Sequence, residues 1–131
     1  RPMQAQYQIS SITEVQTALL VSEKLITPAV EASLKQVLTR KAEMARLSNE
    51  MAARQTEIDQ IARDQDRVRE NMRTLKGSSE ERQLLQRYVK QLDEQENRIA
   101  VLRRELQTLT ADRQKAQEEL NKFIEGLGGE V

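Results

Sequence analysis

Leu75-Lys76-Gly77-Ser78-Ser79-Glu80-Glu81 is the stretch that decides the fold. Gly77 tolerates the left-handed conformation that ends a helix, and Ser78 with Glu81 three residues on has the spacing of a capping box. One helix therefore stops and another starts within a few residues, which puts residues 76–78 at a hairpin tip. A link this short makes its two neighbours antiparallel.

Upstream of the tip, no proline or glycine interrupts the chain from Pro28 to Leu75. One heptad register runs Val30, Ser33, Val37, Arg40, Met44, Leu47, Met51, Arg54, Ile58, Ile61, Gln65, Val68, Met72, Leu75. Ten of these fourteen positions are apolar, and the steps alternate between three and four without a slip. Downstream the register resumes at Leu85, Tyr88, Leu92, Gln95, Ile99, Leu102, Leu106, Leu109, Arg113, Ala116, Leu120, Phe123 and Leu127. A seam repeating every 3.5 residues favours left-handed supercoiling of paired helices. With the turn at 76–78, facing residues have numbers summing to about 156–157, which sets Met72 against Leu85, Val68 against Tyr88, Ile58 against Ile99 and Val37 against Leu120.

Working outward again, Ser10 or Ser11 can cap a short first helix, Ser11 pairing with Glu14 in a capping box. Its stripe is Ile12, Val15, Leu19, Ser22 and Ile26, widened by Leu20 and Val21. Thr27 caps the next helix and Pro28 takes its first position, where the missing N–H costs nothing. Leu34 and Leu38 lie just off the long seam and are the natural seat for the first helix. The expected architecture is all-α: a long antiparallel two-helix coiled-coil hairpin with a short N-terminal helix packing on its open end. Helices are expected over about 11–26, 28–75 and 79–125. Residues 1–10 read as an extended lead-in from an upstream domain, in keeping with a start at Arg1 rather than Met, and 128–131 as a frayed tail. Exposed faces place Glu31 before Lys35, Glu50 before Arg54, Asp59 before Arg63, Glu94 before Arg98 and Glu118 before Lys122, the favourable order for i,i+4 ion pairs.

Composition narrows the function. Twenty-one basic residues balance twenty-one acidic ones, so no global charge draws the chain to nucleic acid or an anionic membrane. Cysteine and histidine are both absent, which removes disulfides, thiolate and imidazole metal ligands, and any His-based triad. Neither seam contains a carboxylate, and a two-helix coiled coil encloses no cavity of active-site size. The expectation is a chain that is not an enzyme and uses no cofactor and no metal. No apolar run approaches the length of a membrane span, so membrane insertion is not expected.

Two sets of residues stand out as candidate sites. Gln65 and Gln95 interrupt the apolar seam in neighbouring layers, where buried amides can fix register by hydrogen bonding across it. The tip, residues 63–90, carries Arg63, Arg67, Arg69, Arg73, Lys76, Arg82, Arg87 and Lys90 against five acidic residues. The like-charge spacings Arg63/Arg67 and Arg69/Arg73 are mildly unfavourable for a helix. A basic tip suits an acidic partner, yet charge runs on exposed helices are usually solvated faces.

Asp64–Leu75, DQDRVRENMRTL, and Arg87–Leu106, RYVKQLDEQENRIAVLRREL, resemble the C-terminal helical region of large, uncharacterised bacterial proteins related to the mucoidy-inhibitor-A-like group. The resemblance rests on Arg69-x-Asn71, Arg87-Tyr88 and Leu92-Asp93-Glu94-Gln95-Glu96, and covers residues 10–127. It implies a helical hairpin following β-rich domains in a multidomain protein, and brings no catalytic residues with it.

The expected function is a coiled-coil spacer or protein-interaction arm, its partner another protein or the adjacent domains of the same chain. The alternative is a nucleic-acid-binding arm working through the basic tip, with nucleic acid the less favoured partner. Self-association through apolar surface around Leu20, Val21, Leu34 and Leu38 is a third expectation.

Overall fold

A computed structural model describes residues 12–22 and 26–127. The expected lead-in over 1–10 and tail over 128–131 lie outside the described residues. Helix α1 spans Glu14–Ser22, α2 Pro28–Arg73 and α3 Ser79–Gly126. No strand occurs among the described residues. The chain is an all-α hairpin in which α2 and α3 pack antiparallel. It forms two compact units, one of residues Asn49–Thr110 and one of the chain up to Ser48 together with Ala111 onward.

In the unit holding the chain ends, α1 joins the start of α2 and the end of α3. Ile12, Leu20, Leu34, Val37 and Leu120 form its buried core, with Val30, Leu38, Met44 and Phe123 packed around them. Leu34 and Val37 have no exposed surface. Burying each such side chain contributes about 1.5–3 kcal/mol, and Ile12 and Leu20 are the apolar anchors that hold the short α1 here.

The start of α1 differs from the expected one. Thr13 caps the helix: its Oγ1 accepts the Gln16 amide at 3.2 Å while Gln16 Oε1 accepts the Thr13 amide at 3.0 Å, and the expected caps Ser10 and Ser11 lie outside the described residues. This is a capping box with glutamine in place of glutamate, and it moves the helix start to Glu14. The shift changes the inner face. Thr17 and Leu20 are buried, whereas Val15 is 79% and Leu19 49% exposed. Thr17 satisfies its hydroxyl on the Thr13 carbonyl, so it is buried without an orphaned polar group. The helix is described only to Ser22, short of the expected 26, and Ile26 and Thr27 are already non-helical.

α2 begins as expected, with the Val30 amide donating to Thr27 Oγ1 at 3.2 Å and Pro28 in the first turn. All fourteen seam positions from Val30 to Leu75 are buried or half-buried. Its end comes at Arg73, two residues earlier than expected. There the Thr74 and Leu75 amides turn back to the Asn71 and Met72 carbonyls, and the Thr74 hydroxyl also donates to Asn71 O. The link is therefore residues 74–78. Gly77 adopts φ +89°, the left-handed conformation its place in the sequence demands.

Along α3 the seam is occupied from Tyr88 onward, with two departures. Leu85 is 37% exposed and Leu84 turns inward instead, so the tip starts one residue out of the expected register. Arg113 is exposed and donates through Nε to Ser48 Oγ at 2.6 Å. Polar links between α2 and α3 have number sums from 155, for Asp64 with Gln91 and Glu57 with Arg98, to 161, for Gln65 with Glu96 and Ser48 with Arg113. That range brackets the expected alignment. Of the i,i+4 ion pairs, Glu31–Lys35 and Glu50–Arg54 form. Arg98 reaches across to Glu57 instead, and Asp59 and Glu118 accept from Gln55 and Gln114.

Two tests follow from this packing. In urea denaturation, Leu102→Ala, at a side chain with no exposed surface, is expected to cost about 2–4 kcal/mol, and Leu85→Ala under about 1 kcal/mol. The two glycines give opposite signs although neither has a neighbour where a Cβ would stand. Gly77→Ala should destabilise by about 1 kcal/mol through its positive φ, whereas helical Gly126→Ala should stabilise by about 0.5 kcal/mol.

Candidate functional site

The candidate sites all lie in the unit of Asn49–Thr110. At the turn, the Glu81 carboxylate accepts the Lys76 amide at 2.9 Å and the Ser78 amide at 3.1 Å, while the Glu81 amide donates to Ser78 Oγ at 3.1 Å. These bonds, the Lys76 amide first, hold the Glu81 carboxyl below its ordinary pKa. Arg82 closes the loop from the other side, Nε donating to the Gly77 carbonyl at 3.1 Å. The expected capping box is present, and it reaches two residues further back than a capping box requires.

The eight basic residues of the tip fall into two groups. Arg67, Arg69 and Arg73 each pair with the acid three residues earlier on α2: Asp64 at 2.8 Å, Asp66 at 3.6 Å and Glu70 at 3.0 Å. Arg82 is taken up by the turn. Arg63, Arg87, Lys90 and the Lys76 ammonium have no partner among the described residues and are exposed. The unfavourable like-charge spacings are thus offset by i,i+3 acids that an i,i+4 count does not include.

Gln65 and Gln95 both reach across between α2 and α3, but not to each other. Gln65, 5% exposed, donates Nε2 to Glu96 Oε1 at 2.8 Å. Gln95 donates Nε2 to Asp64 Oδ2 at 2.6 Å, leaving its own Oε1 buried with no hydrogen-bond partner. Asp64 also accepts from Gln91 at 3.1 Å, so one carboxylate collects Arg67 from its own helix and two amides from the opposite one. The Arg67 guanidinium, aided by the Gln95 and Gln91 amides, keeps the Asp64 carboxyl below its usual range against the opposing effect of desolvation. The sequence seam omitted Asp64 because it stands one residue before Gln65, on the seam's edge. The signal available was an acid facing the seam residue Gln95 and its neighbour Gln91 on the facing helix.

Nearer the tip, Asn71 Nδ2 lies 3.4 Å from the Tyr88 hydroxyl, at the long limit of a hydrogen bond. This brings together Arg69-x-Asn71 and Arg87-Tyr88, which are sixteen or more residues apart in sequence. Among the described residues no group of three or more Asp and Glu is placed to hold a metal ion, and no helix is long and apolar enough to cross a membrane. No family model, curated protein or solved structure matches the chain.

Both depressed carboxyls contribute stability that is present above their unfolded-state pKa and fades as pH falls through the lower native values. The urea midpoint is therefore expected to drop on acidification below the ordinary carboxylate range. Asp64→Asn should lower the midpoint at neutral pH and flatten that acid limb, and Glu81→Gln should do likewise, each followed by far-UV circular dichroism across a pH series.

Proposed function

We propose that this chain is a non-enzymatic coiled-coil arm, a spacer or protein-interaction arm within a larger multidomain protein. The observation that carries the reading is how the side chains are used. The apolar seam residues are spent on holding α2 to α3, and many of the flanking charges are tied in pairs along or across these helices. What the tip offers outward is a small set of unpartnered cations, Arg63, Arg87 and Lys90 with Lys76. The meeting of Asn71 with Tyr88 is in keeping with the proposed kinship to helical regions of large bacterial multidomain proteins.

The protein-partner reading is favoured over the nucleic-acid one by the same pairing. Arg67, Arg69 and Arg73 already carry acids within their own helix, so a phosphate backbone would compete with Asp64, Asp66 and Glu70 for them. Few cations remain to release counterions, and the only aromatic side chain at the tip, Tyr88, is half-buried rather than open for base stacking.

The parent protein separates the two forms of the reading. Charge reversal of Arg63, Arg87 and Lys90 to Glu should remove its cross-linked neighbours if the tip is an interaction site. Deleting one heptad from α2 and the facing heptad from α3 shortens the arm without changing register, and should disturb function if the arm is a spacer. Indifference to both changes, or salt-dependent binding of single-stranded RNA that the charge reversal abolishes, would overturn the protein-arm proposal.

A further inference from the structure

Away from the tip, in the unit of the chain ends, a groove of about 300 Å³ lies between α2 and α3. It exists because α2 offers the short side chains of Ala45 and Ser48 there, while on α3 residues 110–115 are all exposed and Arg113 bends away to Ser48. Its polar lining consists of Lys41, Ser48, Arg113, Gln117 and Asn121, without a single carboxylate. By contrast, the groove between α1 and α2 is lined by Glu14 and Glu31 beside Lys35, and one on the other unit sets Glu105 beside Arg54 and Arg104. Of these three grooves, this one alone combines two cations with no acid.

Both cations are anchored by neutral oxygens and keep donors to spare. Lys41 Nζ donates to the Ile12 carbonyl at 3.3 Å, and Arg113 uses only Nε, on the Ser48 hydroxyl. Neither forms an ion pair among the described residues. Arg113 is held at Ser48, and Ser48 and Lys41 are seven residues apart on α2, about 10 Å along the helix axis. Carboxylates seven residues apart on a partner helix have the same separation. Met44, between Lys41 and Ser48 on α2, lines the groove, a surface that suits an aliphatic side chain rather than a second charge.

We propose that this groove docks an acidic helical segment of a protein partner, taking two carboxylates two turns apart and an apolar side chain between them. Arg113 presents its planar fork to one carboxylate, and the Lys41 ammonium meets the other as a point charge. Two cations with Met44 between them on α2 favour a helix over a phosphate backbone, whose evenly spaced charges would need further cations along the path. This goes beyond the tip reading and shares with it only the premise of a protein partner.

The test uses a capped helical peptide of alanine and glutamine with two glutamates seven residues apart and a leucine midway, titrated at low salt by fluorescence anisotropy. Saturable binding is expected, weakened about fivefold by Arg113→Gln and similarly by Lys41→Gln, and lost when the glutamates of the peptide become glutamine. Arg113 is exposed, so its variant remains informative if Lys41→Gln loosens the tether to Ile12. The tip variant Arg87→Gln with Lys90→Gln should bind unchanged, which keeps failure at the groove distinct from failure at the tip. Absent binding, binding indifferent to Arg113→Gln, equal loss in the tip variant, or stronger binding of a single-stranded oligonucleotide at the groove would each overturn the proposal.

Discussion

Glu81 takes up the amides of Lys76 and Ser78, and with Gly77 in its left-handed conformation this closes the turn between α2 and α3. The closure is a constraint on register as well as a loop. Once the chain reverses there, each residue of α2 has one zone of α3 it can meet, and both seams must stay in phase with that choice. A turn longer or shorter by one residue would rotate one helix by about 100° against the other and expose its apolar stripe. The five-residue link and the inward Leu84 are two sides of that adjustment.

Polar groups refine what the turn begins. Apolar contacts are non-directional, so a Leu and Ile seam alone tolerates a slip of a whole heptad with little loss. Gln65 with Glu96, and Asp64 with Gln91 and Gln95, are directional and sit at one level of the hairpin. A slip there leaves amides and a carboxylate unpaired in partial burial, a cost of about 1–3 kcal/mol per group. The unsatisfied Gln95 Oε1 shows that even the aligned state is not fully paired. These amides add less to net stability than leucines would; what they add is a penalty on the wrong alignments.

The long helices were legible because their signal is redundant. Missing proline and glycine, an unbroken three-four rhythm and a turn signal with a mechanism all point the same way. The short helix was legible in its existence and its seat but not in its face, since nine residues give only about two and a half turns of pattern to choose among faces. Val15 and Leu19 look more core-like than Thr17, and only the Thr13–Gln16 box reveals that Thr17 and Leu20 turn inward. Among the candidate sites, the positions of Gln65 and Gln95 were readable but their partners were not. A long polar side chain at the seam's edge can reach several residues on the facing helix, and Arg98 choosing Glu57 over Glu94 is the same ambiguity.

Charge separates what this fold says about itself from what it says about partners. On a two-helix arm nearly every charged residue is on the surface whatever its purpose, so the amount of charge carries little information. Its pairing carries more. The tip looks strongly basic by count, yet Arg67, Arg69 and Arg73 are balanced within α2 and only a few cations face outward alone. The groove at Lys41 and Arg113 looks unremarkable by count, yet no carboxylate lines it. An unpaired cation anchored by a neutral oxygen has already lost part of its side-chain freedom, so a carboxylate arriving there meets a donor that is partly organised in advance. Partner surfaces on a helical hairpin are therefore better sought where charges lack a balancing neighbour than where they are most numerous.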